Sequence, residues 1–274
     1  MSKERVLESI KKWRENHSHY EANDFEMIYS GWIQESFQQI NPKITEKLFS
    51  KLDGWLFHTH AFLQEANFQN GTREHILTVG RIFDGKLIAI EDMKQLTVDQ
   101  LTFIADQQTA KNHLYSFAQG GMTGAGGWIL LGVDFPLMVG INLRTVQLIG
   151  LTFGHEMSRP YEMMLSLKVF HAATLPKRLQ GVAWEELVEE IRNKQGPYIY
   201  EGNDRLTDIS SIEQPLKQLY KALFILMFRK KLFQGIPLVS VAIGAHSNYS
   251  LSKQVSEFAT KFYQYRYLIQ EEEW

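Results

Sequence analysis

The chain has 274 residues, 44% hydrophobic and 22% charged, with 29 basic against 31 acidic side chains and a formal charge of -2. That length and balance allow a sizeable core, exclude wholesale disorder and a conventional polytopic membrane protein, and supply no overall pull toward nucleic acid. The absence of cysteine excludes a disulfide framework, a thiolate nucleophile and a cysteine zinc site.

The segment from Met1 to Arg14 lacks the apolar core of a signal peptide, and Val6, Ile10, Trp13 and His17 recur at helical spacing, which predicts a helical, cytoplasmic start. Phe25, Ile28, Trp32, Phe37 and Ile40 carry the pattern on to Pro42, and Ile44, Leu48, Leu52, Trp55 and Phe62 predict another long helix. Asn70-Gly71 reads as a turn, followed by a short helix capped by Thr72 and carrying Ile76 and Val79. Phe83 to Ile90, centred on Asp84-Gly85, reads either as a small hairpin or as a loop. Thr97 and Gln100 have capping-box spacing and open a helix through Leu101, Ile104 and Ala105 toward Phe117.

Between Lys111 and Glu156 the only formal charges are Asp134 and Arg144, in a stretch crowded with glycine from Gly120 to Gly154. Each glycine in a helix costs about 1 kcal/mol relative to alanine. The expected compensation is close packing of backbones at Gly120, Gly124 and Gly127, in a glycine-rich apolar helical hairpin near residues 119–154. A phosphate loop is disfavoured, because the run has no Gly-Lys-Ser/Thr ending and opens from no clear strand. Asp134 precedes Phe135-Pro136, where its carboxylate would cap the next helix or, buried, orient a ligand. Arg144 lies roughly 15 Å further along one helix, so the two charges need separate partners, with Lys168, Asn248 and Lys253 the candidates.

Ser158 with Pro160, and Ser211 with Gln214 and Pro215, read as further helix starts, and Arg192 to Asp208 as the main irregular connection. His155-Glu156 reads as a polar exit from the helix that ends at Gly154, and Asn248 as a left-handed helix terminator ahead of a new helix from Leu251. His17 with His19 and His58 with His60 point about 200° apart on a helix, so no metal site is expected, and Ser240 and Ser247 lack a nucleophile-elbow context.

Gly120-Gly121, Gly124 to Gly127, Asp134, Asn142-Leu-Arg144 and Phe153-Gly154 form one distinctive block. Ala242 to Ala245, Asn248-Tyr249, Val255 and Tyr263 to Tyr267 around Arg266 form a second. In this order the blocks resemble the EcsC protein family, from near residue 105 to 268, with Phe153 where the family more often has a tyrosine. The family is named for a bacterial protein encoded beside two components of an ABC transporter. The resemblance implies a mostly helical bacterial cytoplasmic protein associated with membrane transport, and it carries over no catalytic residue set and no cofactor.

Lys221 to Phe233 pairs an apolar run with Arg229, Lys230 and Lys231, which suits either burial or a helix on an anionic lipid surface with Phe224, Leu226 and Phe228 beneath the headgroups. Its apolar run is too short to span a bilayer. The expected architecture is all-α: one multi-helix domain over residues 1–274, with an N-terminal helical part over 1–95 and an EcsC-like part over 96–270. Two functions compete. One is a non-catalytic accessory protein docked on a membrane protein or anionic lipid surface, with no nucleic-acid partner. The other is a small-molecule binder or hydrolase with a cleft around Asp134, Arg144 and Asn248.

Overall fold

A computed structural model describes residues 3–17, 66–124, 127–192 and 237–272, with isolated helical positions at 31, 34, 35, 38, 218, 219 and 221–223. For 66–70, 119–136, 178, 237–244 and 271–272 it describes the backbone alone. The fold is all-α, with no strand among the described residues. In chain order the helices are α1 (Lys3–Glu15), α2 (Ala66–Gly80), a 3-10 helix (Ile90–Gln95), α3 (Val98–Gly124), α4 (Gly127–Thr152), α5 (Pro160–Thr174), α6 (Lys177–Arg192) and α7 (Pro237–Glu272). The Phe25–Phe62 helices, the Ser211 helix start, the 193–208 connection and the segment carrying Phe224, Leu226, Phe228, Arg229, Lys230 and Lys231 lie outside the described residues.

The helix α7 is the spine, packing most extensively on α3 and also on α4, α5 and α1. From Phe262 to Leu268 every residue of α7 is buried, as a helix surrounded by others must be. Trp184 of α6 meets Phe258 and Phe262 edge-on, and Trp13 of α1 closes the same cluster against Trp184 and Phe258. The expected α1 spacing holds: Val6, Ile10 and Trp13 are buried on one face, and His17 stacks on Trp13.

The capping box forms as expected. The Thr97 amide donates to Gln100 Oε1 at 2.9 Å and the Gln100 amide donates to Thr97 Oγ1 at 3.4 Å, so α3 starts at Val98. At Pro160 the helix also starts as expected, although Arg159 rather than Ser158 holds the cap position and contributes no side-chain bond.

Three local expectations are corrected, and one open alternative is decided. Asn70-Gly71 is no turn: α2 runs through it, and Thr72 lies inside the helix, because burial of Ile76 and Leu77 outweighs the helix penalty of one glycine. Of the two readings of Phe83–Ile90, the loop holds and the hairpin is absent. Asp92 Oδ2 accepts the amides of Ile88 and Ala89 at 2.8 Å each, removing donors a strand ladder would need, and Leu87, Ile90, Met93 and Leu96 are buried at the three-residue spacing of a 3-10 turn. Asp134 caps no helix, since α4 begins at Gly127 and continues through Pro136. Asn248 terminates nothing: α7 is continuous across it, and no non-glycine residue among the described ones has a positive φ.

Candidate functional site

Two polar clusters sit at opposite ends of the unit made by α3, α4 and α7. The first begins where α4 stops. Gly154 takes φ +78°, its amide donates to Leu151 O at 3.0 Å, and the His155 amide donates to Gly150 O at 3.0 Å. This left-handed stop satisfies the final carbonyls and turns the chain inward. His155 and Glu156, read as a polar exit from this helix, do follow its end, and both are buried.

Inside, Glu162 in the first turn of α5 meets Arg266 of α7 in a bidentate pair, Nη1 to Oε2 at 2.6 Å and Nη2 to Oε1 at 2.7 Å, with both residues buried. Burial opposes the guanidinium charge, but the hydrogen bonds and charge of Glu162 outweigh it and hold Arg266 above its ordinary pKa. The Glu162 position also suits a helix N-terminus, where the backbone dipole favours a carboxylate. His155 Nδ1 stands 3.7 Å from Glu162 Oε1, and the Arg266 guanidinium lies over the Tyr161 ring at 5.8 Å. The Tyr263 ring is fully enclosed, and burial pushes its phenol pKa upward.

Neighbouring elements tie into the same junction. Arg73 of α2 reaches Glu156 at 2.8 Å, Tyr267 donates to Leu96 O at 3.0 Å, and Lys94 crosses above Gly154, its pKa lowered by burial and by Arg266. Gly150, which the sequence did not single out, permits a close approach of side chains here. A Cβ there would overlap Met157 Cε and stand 2.9 Å from Tyr263 Cζ. Gly120, Gly124 and Gly127 lie at the facing ends of α3 and α4, where the surrounding contacts are outside the described side chains. Chemically the junction is a clamp: both oxygens of Glu162 are bonded to Arg266 and turned away from solvent.

The second cluster lies toward the short connection between α3 and α4. Thr102 with Gln264 at 2.8 Å and His113 with Ser256 at 2.8 Å set α3 antiparallel to α7, and Asn112 with Thr145 at 3.0 Å sets α3 against α4. One turn further toward the connection, Ser116, Asn142 and Ser252 are buried at about the same level, and Asn248 follows one turn beyond Ser252. The atoms Ser116 Oγ, Asn142 Oδ1, Ser252 Oγ and Asn248 Nδ2 have no hydrogen-bond partner among the described residues. Such groups call for water or a polar guest.

Of the residues the sequence singled out, Arg144 is half-buried on α4, its pKa lowered by burial, Asn248 is buried in α7, and Lys253 is exposed one turn on. Lys168 is elsewhere, joined to both oxygens of Glu190 at 2.7 and 2.9 Å across α5 and α6. The Asp134 side chain is outside the described ones. Glu162 escaped sequence reading, although a carboxylate two residues after Pro160 in an otherwise apolar helix start was a usable signal. Among the described residues no group of His, Asp or Glu is arranged to hold a metal ion, and no helix is long and apolar enough to cross a membrane.

The sequence pattern of the EcsC protein family matches residues 4–268, well beyond the stretch from near residue 105 on which the resemblance rested. The chain is similar to YdbA of Bacillus subtilis (strain 168), 22% identical over 237 residues, covering 85% of this chain and 81% of that protein. It is also similar to Protein EcsC of the same organism, 25% identical over 178 residues, covering 65% of this chain and 68% of that protein. No solved structure matches. The two blocks of the resemblance lie on α3, α4 and α7, which pack against one another, in a chain that belongs to the EcsC protein family.

Proposed function

We propose that this protein is a non-catalytic accessory factor of bacterial membrane transport that docks on the cytoplasmic membrane face or on a transporter partner. The observation that carries this reading is an apolar row on the outer side of α3. Phe103, Ala110, Leu114 and Phe117 recur at the spacing of one helix face, and all are exposed. Tyr249 of α7 extends the row beside Phe117, with ring centroids 6.4 Å apart. The exposed apolar residues Ala110, Leu114, Phe117 and Tyr249 adjoin one another, with Phe103 set apart by Asp106 and Gln107, and such a patch on a helical protein fits an interaction surface. The family's likeness to a transport-associated protein supplies the setting.

The test is cell fractionation at low salt with the intact chain, alongside Leu114→Glu with Phe117→Glu. The wild-type protein is expected in the membrane pellet and the double variant in the supernatant. Wild-type protein found wholly in the supernatant, with no membrane-protein crosslink, overturns the reading.

A second reading, a small polar ligand held between helices, is favoured by the open atoms of Ser116, Asn142, Asn248 and Ser252. A thermal-shift screen of polar metabolites tests it: a hit must raise Tm in wild type and fail in Asn248→Leu.

A further inference from the structure

The helix registers place three basic residues in one belt. Lys111 adjoins Asn112, whose partner Thr145 adjoins Arg144, and Lys253 lies one turn from Ser256, the partner of His113. Lys111, Arg144 and Lys253, one from each of α3, α4 and α7, therefore fall within about one helical turn of a common level. Lys111 and Lys253 are exposed and Arg144 is half-buried.

Beyond the belt, toward the connection between α3 and α4, formal charge nearly vanishes. Residues 112–124 of α3 and 237–252 of α7 carry none, and 127–143 of α4 carry only Asp134. Glu257 and Asp106, the nearest carboxylates on α7 and α3, lie on the other side. Large apolar side chains are exposed at this end: Leu114 is 68% exposed, Tyr115 63%, Leu137 53%, with Phe117 and Tyr249 beside them and the uncharged polar His246 and Ser250 also at the surface. Tyr115 and Tyr249 stand near the belt, where amphipathic rings favour the water–lipid boundary.

We infer that this end of the bundle inserts into one leaflet of an anionic bilayer, with Lys111, Arg144 and Lys253 forming a collar at the headgroups. The inference rests on the docking reading above and names lipid as the surface contacted. The length agrees: 13 helical residues from the collar to the end of α3 reach about 20 Å, enough to enter one leaflet and too little to cross a hydrocarbon core of about 30 Å. Charge agrees as well, since the collar is cationic and the end beyond it nearly neutral, the arrangement that suits anionic headgroups above an apolar interior.

The chain contains no cysteine, so single labels can be placed cleanly. Full-length Leu114→Cys and Ile88→Cys, each carrying an environment-sensitive fluorophore, are mixed with vesicles of phosphatidylcholine containing or lacking phosphatidylglycerol. Ile88 is 81% exposed in the turn before the 3-10 helix, far along α3 from the inserted end. The Leu114 label is expected to shift to the blue and be quenched by brominated acyl chains only when phosphatidylglycerol is present, and the Ile88 label to stay unchanged. Lys111→Glu with Lys253→Glu, checked for helical circular dichroism, is expected to weaken vesicle binding at least tenfold.

A shift at Ile88 without one at Leu114 overturns the inserted end. Equal binding with and without phosphatidylglycerol overturns the collar. No vesicle binding from a protein that still pellets with cell membranes and crosslinks to a membrane protein overturns the lipid contact while leaving the docking reading intact. Failure of the docking reading itself appears separately, as wholly soluble protein in the fractionation.

Discussion

At the end of α4, Glu162, Arg266 and Glu156 are buried, and each carboxylate meets a guanidinium, from Arg266 or from Arg73. At the opposite end, Ser116, Asn142, Asn248 and Ser252 are equally buried, uncharged, and leave hydrogen-bonding atoms open. The difference follows from magnitude. A charge taken out of water costs several kcal/mol and must be paired, whereas a neutral hydroxyl or amide left unpaired costs about 1–3 kcal/mol and is tolerated. Glu162–Arg266 therefore locks α5 to α7 and Arg73–Glu156 ties α2 to the turn after α4, whereas Ser116, Asn142, Asn248 and Ser252 keep uncharged atoms that a guest could meet.

Breaking the clamp should have the largest effect. Arg266→Ala leaves Glu162 buried without its guanidinium, and the expected loss is about 3–5 kcal/mol in urea denaturation. Arg266→Met combined with Glu162→Leu should recover most of it. If the single change costs no more than a surface substitution, the contrast between the two ends fails.

Acid should act on α5 at the end away from the clamp, where the Ala173 carbonyl accepts from Gln254 of α7. Burial pushes the His171 imidazole of α5 down to about 4, against an ordinary value near 6.5. Between those values the unfolded chain takes up a proton that the native chain refuses. Stability from this group is therefore level above about pH 6.5, falls as pH drops toward 4, and levels off below, a change of at most about 3 kcal/mol. His171→Gln should flatten that part of the stability–pH curve, read from urea midpoints in a pH series.

Gly154→Ala sharpens the comparison at the helix stop. The left-handed backbone disfavours a side chain, and a Cβ would stand 2.6 Å from Lys94 Cγ, so an expected cost of about 1–2 kcal/mol should appear as a lower Tm. The smallest effect belongs to the open end. Ser116→Ala and Ser252→Ala remove hydroxyls that have no partner among the described residues, and each should leave stability within about 0.5 kcal/mol of wild type or raise it. A loss near 2 kcal/mol would mean that these hydroxyls are satisfied in solution, by water or by a bound guest.

Local signals were legible where the physics is local. The four-residue spacing of Val6 and Ile10, the capping box at Thr97 and Gln100, and the stop at Gly154 each depend on atoms within a turn or two of one another, and each formed as read. Breaker signals misled wherever packing was available to override them. Asn70-Gly71, Asp134-Phe135-Pro136 and Asn248 all look like interruptions, yet all lie inside continuous helices. In each, a penalty of one to a few kcal/mol is outweighed by apolar faces such as Met138, Val139, Leu143, Val146 and Ile149 buried along the same element.

The sequence by itself determined that the chain is helical and that a long stretch around Asp134 and Arg144 is nearly free of charge, because composition, periodicity and capping are readable one turn at a time, and its motif blocks and overall pattern placed it in the EcsC family. Only the tertiary structure decided that Glu162 finds Arg266, 104 residues away, and that three charge-poor helix segments end side by side below Lys111, Arg144 and Lys253. Those outcomes depend on the register between distant helices, which is set by how their buried faces interlock and by bonds such as Thr102–Gln264 and Asn112–Thr145.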